Sequence, residues 1–120
     1  MVDDDGIDLS SRDRAIVARV LAPFADQIER VAVFGSRASG TARPASDIDL
    51  VVWGSLDAAL LARLWTLFDE SGLAVTIDIV EYGTTTSSFR RHIDAVARTL
   101  FTQEDLLAAR ADASLDEPLY

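Results

Sequence analysis

Apolar residues at Ile16, Val17, Val20, Leu21 and Phe24 recur at the three- and four-residue steps of a helix face. They predict a helix that starts behind Ser10 or Ser11 and runs to about Glu29, with Asp13 near its positive end. Pro23 lies inside this pattern and predicts a kink or an early end. Arg30 leads into a short apolar run, Val31-Ala32-Val33-Phe34, which reads as a buried strand stopping at Gly35-Ser36. Residues 35–46 are rich in Gly, Ser, Thr, Ala and Pro and form a loop with at most one helical turn after Ser36. Asp47 to Trp53 is a second strand. A helix of about 57–70 follows, capped by Ser55 and closed by Gly72, with Leu60, Leu61, Leu64, Leu67 and Phe68 on its apolar side. Ala74 to Tyr82 alternates as a third strand. After a Thr/Ser loop at 83–88, Phe89, Ile93, Val96, Ala97 and Leu100 mark another helix, and Thr102 with Asp105 caps a last short one ending near Arg110.

The order α-β-(α)-β-α-β-α gives a small sheet with helices packed against it, an α/β or α+β domain. Its expected limits are 10–101. Residues 1–9 form a loosely held acidic lead-in, and residues 102–120 a short helix with an acidic tail.

Composition narrows the chemistry. The 120 residues are enough for one domain. Acidic residues number 20 against 11 basic, a formal charge of −9, so direct binding to DNA or RNA backbones is not expected. All the basic residues are arginine, which excludes Schiff-base and other lysine chemistry. There is no cysteine and only one histidine, His92, so disulfides, thiolate nucleophiles and multi-histidine metal sites are excluded; any metal must be held by oxygen. The start MVDDDGID lacks the basic and apolar segments of a signal peptide, and no apolar run approaches the roughly 20 residues that span a bilayer. A cytoplasmic protein without membrane contact is the expectation.

Three features carry chemistry. Asp47 and Asp49, two apart on a strand, leave the same face. Two carboxylates so placed repel each other and call for a positive charge between them, and Mg²⁺ prefers such oxygens together with substrate phosphates. Alone, D-x-D is common and fits a wet strand end. Gly35-Ser36 at a strand end is a place where backbone can approach an anion closely, and Arg37 adds a fork suited to phosphate; alone, Gly-Ser is usually only a turn. Asp78 interrupts the apolar strand Val75 to Val80 and needs a partner, as metal ligand or general base, unless its strand is an edge with Asp78 on the wet side. Together they are the parts of a two-metal nucleotidyl transfer.

Gly35-Ser36, ten residues, then Asp47-Ile48-Asp49, written GSRASGTARPASDIDLVV, resembles the signature of the DNA polymerase β-type nucleotidyltransferase superfamily. Within it the chain resembles the minimal nucleotidyltransferases encoded beside HEPN-domain proteins, many of which are antitoxins of toxin–antitoxin pairs. The signature covers residues 33–52, and the likeness extends weakly to Asp78 and the helix at 89–101. The resemblance implies a polymerase β-like fold with a small mixed sheet. It also implies that Gly35, Ser36 and Arg37 bind the ATP phosphates, that Asp47 and Asp49 hold two Mg²⁺ ions, and that Asp78 completes the metal site and activates the acceptor hydroxyl. Many relatives read GSRARG; here Ser39 replaces the second arginine, which weakens triphosphate binding unless Arg43 or a partner's arginine compensates.

Glu81 is a rival third carboxylate of the wrong strand parity. His92 beside Arg90 and Arg91 reads as a solvated helix face, and Trp53 and Trp65 as packing residues. Three functions fit: transfer of AMP from ATP to a hydroxyl of a HEPN-type toxin, transfer to a small molecule such as an aminoglycoside with a second subunit completing the pocket, and an antitoxin acting by contact alone. The first follows from the intact carboxylates and from a chain too short to carry its own acceptor-binding domain.

Overall fold

The computed structural model describes residues 5–116, in which five helices pack around one mixed sheet of four strands. Helix α1, Ser11–Leu21, starts where Ser10 Oγ accepts the Asp13 N–H at 3.1 Å. It stops at Leu21, short of Glu29. Pro23 lies in a following 3₁₀ segment, Ala22–Gln27, and Phe24 leaves helical geometry there (φ −106°, ψ 18°). Residues 28–30 are thereby freed for strand β1, Ile28–Phe34. A single helical turn, α2, Ser36–Ser39, leads to strand β2, Ile48–Gly54. Asp57, not Ser55, caps helix α3, Ala58–Asp69, accepting the Leu60 N–H at 2.8 Å; Gly72 turns the chain after it at φ +87°. Strand β3 is Ile77–Glu81 and helix α4 is Ser87–Val96.

The helix expected to include Leu100 ends earlier. Ala97 is extended, and Arg98–Thr102 forms a fourth strand, β4. Thr102 and Asp105 then cap helix α5, Gln103–Asp116, reciprocally: Thr102 Oγ1 accepts the Asp105 N–H (3.2 Å) and Asp105 Oδ2 accepts the Thr102 N–H (2.9 Å). This helix continues past Arg110 where an acidic tail was expected; residues 117–120 of that tail lie outside the described residues. Thr102→Ala removes one half of this cap, and the urea midpoint should fall by the equivalent of about 1 kcal/mol with an unchanged denaturant slope.

The sheet order is β3-β2-β1-β4, with β1 antiparallel to β2 and β4, and β2 parallel to β3. One face carries Val31, Val33, Leu50, Val52 and Ile79 against Leu21, Leu64, Phe68 and Leu106, so α1, α3 and α5 close the main core. Ile7 and Leu9 are fully buried in it. Residues 5–9 are thus packed and not a loose lead-in, while residues 1–4 fall outside the described residues. Leu106 in the same core also joins α5 to the domain expected to close at 101. On the other face Ile93 and Phe89 of α4 pack on Ala32, Phe34 and Val51. Farther along this face Arg30 lies 4.2 Å from the centre of the Trp53 ring, and Trp53 stacks on Tyr82 at 4.9 Å. Trp65 on α3 keeps 39% of its surface exposed. Among the described residues no helix is long and apolar enough to cross a membrane.

Candidate active site

Pairing places the acidic residues. Phe34 is the register partner of Asp49 across β1 and β2, and Asp49 is the partner of Asp78 across β2 and β3. Aligned residues leave a sheet on the same side, so Asp49 and Asp78 share the α4 face of the sheet. Asp47 lies just ahead of β2, outside the strand expected to begin with it, and is close enough for its charge to act on Asp49. Asp49 is half-buried; Asp47 and Asp78 are exposed. Burial pushes the Asp49 carboxyl above the ordinary carboxylate range, and the charges of Asp78 and then Asp47 push it further.

Strand β1 delivers the backbone side of the site. Gly35 has φ +72° and ψ −152°, a combination open in practice to glycine alone. A Cβ built there would sit on the Asp49 carboxylate, within 3.2 Å of its Cγ. The carboxylate and the Gly35 bend are therefore in direct contact. One turn of helix then begins at Ser36, whose first N–H groups have no intrahelical acceptor, and ends at Gly40 in the left-handed region (φ +82°). Ser36 is half-exposed beside this turn. A cleft of about 400 Å³ lined by Pro44, Ala45, Asp47, Ala74, Val75 and Thr76 opens next to Asp47.

Arg37 does not stand ready for phosphate. Its side chain is buried, with 6% exposure, and each of its three nitrogens donates to backbone carbonyls: Nε and Nη2 to Ser46 (3.2 and 2.8 Å), Nη2 also to Pro44 (3.4 Å), and Nη1 to Asp8 (2.9 Å). Ser39 bonds Thr41 Oγ1 at 2.8 Å, and Arg43 is exposed. Glu81 pairs with Val52, on the main-core side of β3, away from Asp78. His92 is exposed on α4, its ring 6.1 Å from that of Phe89.

One residue went unnoticed in the sequence. Arg98 Nε donates to the Ala38 carbonyl at 3.1 Å and holds the end of α2 from a strand 60 residues away. No local pattern marks it.

The donor set suits a hard cation. Among the described residues no group of three or more acidic or histidine side chains is drawn together closely enough to hold an ion by itself. Mg²⁺ does not need such a cage, since it keeps water and takes one or two carboxylates plus phosphate oxygens. The half-buried Asp49 over a glycine bend, repelled by the exposed Asp47 and Asp78, fits that requirement.

The sequence matches the family described as Polymerase beta, Nucleotidyltransferase across residues 18–106. It is 35% identical over 92 residues to a Haemophilus influenzae protein named "Probable protein adenylyltransferase MntA", covering 75% of this chain and 80% of that one. The fold is similar to a chain in the crystal structure of a toxin–antitoxin with AMP-PNP (TM-score 0.64, 20% identity, 86% of this chain and 85% of that chain). It is also similar to a chain of the tri-AMPylated Shewanella oneidensis HEPN toxin in complex with MNT antitoxin (TM-score 0.57, 18% identity, 85% and 81%).

Proposed function

We propose, from the premise that the chain belongs to the polymerase beta nucleotidyltransferase family, that it transfers AMP from ATP to a hydroxyl of a HEPN-type toxin and acts as its antitoxin in the cytoplasm. The observation that carries this reading is the rung on which Asp49 meets Asp78, with the charge of Asp47 acting on Asp49 and the Gly35 bend against the Asp49 carboxylate. Asp47 and Asp49 are the residues to hold two Mg²⁺ ions, and Asp78 completes the set. Bound there, the ions supply charge neutralisation of the triphosphate and acidify the attacking hydroxyl.

The chain's own groups do the rest. The opening N–H groups of α2 and the Ser36 hydroxyl hold the β- and γ-phosphates. Asp78, exposed beside Asp49, takes the acceptor's proton as its oxygen bonds to the α-phosphorus; the bond from that phosphorus to pyrophosphate breaks and pyrophosphate leaves. The cleft beside Asp47 gives the acceptor side chain an approach.

A toxin partner is supported by the sequence relative named as a protein adenylyltransferase, and by structural likeness to complexes of such pairs. The test mixes the chain with its neighbouring gene product, ATP and Mg²⁺, and weighs that product. A gain of one or more AMP units is expected, lost when Mg²⁺ is chelated. An unchanged mass while the two proteins bind each other would overturn the reading in favour of neutralisation by contact.

A further inference from the structure

The N-terminal segment lies ahead of the region matched to the family, 18–106, yet it is tied to the loop that presents Asp47. Arg14 organises this segment: its nitrogens donate to both Asp5 carboxylate oxygens (2.9 and 3.1 Å), to the Ile7 carbonyl (3.0 Å) and to the Leu9 carbonyl (3.0 Å). Ile7 and Leu9 are fully buried. Between them, the Asp8 N–H donates to the Arg37 carbonyl at 2.8 Å, and the Asp8 carbonyl accepts from the Arg37 guanidinium at 2.9 Å. The same guanidinium reaches across to Ser46, the residue before Asp47, through two bonds. Ser46 in turn closes the loop on Arg43: its Oγ accepts the Arg43 N–H at 2.8 Å and its N–H donates to the Arg43 carbonyl at 2.9 Å.

We propose that residues 5–9 and Arg37 form a clamp that sets the position of Asp47, so that Arg37 is a positioning residue for the divalent cation and not a phosphate ligand. The inference rests on the transferase reading above for what Asp47 does, but the clamp itself is a property of the resting chain. A planar guanidinium with donors pointing three ways can span Asp8 and Ser46 at once; an ammonium on a flexible stem cannot hold both carbonyls in one geometry. No residue from Thr41 to Ser46 belongs to a helix or strand, so losing the guanidinium loosens the backbone leading to Asp47.

The test uses the full chain and three variants: Arg37→Gln, Arg37→Lys, and Arg14→Met, the last loosening the hold on residues 5–9. Amide hydrogen exchange over residues 41–47 is measured without ligand. Mn²⁺ affinity and the affinity for a non-hydrolysable ATP analogue at saturating Mn²⁺ are measured by calorimetry. Arg37→Gln should speed exchange about tenfold or more and weaken Mn²⁺ binding by a similar factor, while analogue affinity at saturating metal stays within twofold. Arg37→Lys should not restore either quantity. Arg14→Met should move both in the same direction by a smaller factor, and it carries the test if the Arg37 variants do not fold. Unchanged exchange in every variant that folds overturns the clamp. So does a loss of analogue affinity at saturating metal with exchange unchanged, which would return Arg37 to the phosphates. If the parent binds no Mn²⁺ even with the ATP analogue present, the transferase reading falls, and the exchange arm still decides whether the clamp exists.

Discussion

Asp49→Asn should lower AMP transfer by about 10³-fold or more and, without ligands, raise the melting temperature by about 2–4 °C. The two effects share one cause. Burial and the charges of Asp78 and Asp47 raise the Asp49 pKa, so the native fold disfavours its ionised form relative to the unfolded chain. Above the raised pKa this opposes folding, and the penalty is relieved as pH falls through it. An amide of the same shape removes the charge at every pH. Solvent at the half-buried group keeps the gain modest. The same repulsion is what a divalent cation relieves, so adding Mg²⁺ and ATP should stabilise the parent and leave the variant unmoved. Cation binding by the parent should also weaken on acidification at a higher pH than an ordinary aspartate would set. Scanning calorimetry of both proteins with and without ligands checks this. A variant that melts lower than the parent, or that transfers AMP at the parental rate, would contradict the assignment of Asp49.

Gly35→Ala should cost transfer about 10²-fold, because the new methyl occupies the space of the Asp49 carboxylate. It should also destabilise by roughly 1–3 kcal/mol, since φ +72° with ψ −152° suits no side chain. Gly40→Ala separates the two effects. Gly40 also has positive φ, but a Cβ there meets nothing within 4 Å. It should lose about 1 kcal/mol of stability and keep transfer within a fewfold. Steady-state rates beside urea unfolding of both variants make the comparison. Equal losses of activity would mean that strain in the turn, not contact with Asp49, governs the site.

Much of this was legible in the chain. The apolar run from Ile48 gave the strand that carries Asp49, and the apolar stretch around Asp78 pointed to a strand that needed a reason for its carboxylate. Strand β4 was not legible because Leu100 falls on the helical spacing set by Phe89, Ile93 and Val96, with no glycine or proline to mark the break at Ala97. The strand also has a register shift between Val31 and Ala32 of its partner, which spoils the two-residue rhythm that would have announced it. Arg37 misled for a different reason. A guanidinium recognises phosphate and carbonyl oxygens with the same donors, and only folding shows that the carbonyls of residues 8, 44 and 46 arrive first. The helix end at Leu21 was signalled by Pro23, but the strand beginning at Ile28 was hidden by the polar pair Glu29 and Arg30.

The parallel rung joining Asp49 to Asp78 sets what evolution or an engineer can alter in the stretch between them. Residues 55–76 make the crossover from one strand to the other, and its length is a weak constraint, since doubling a loop costs only about 0.6 kcal/mol in closure entropy. A slip of one residue in β3 is a different matter: it would turn Asp78 into the hydrophobic interior and Ile79 out to water. Extra residues in the exposed turn after α3 should therefore be tolerated as long as Leu64 and Phe68 stay in the core, whereas a single-residue insertion inside Ile77–Glu81 should silence the protein outright.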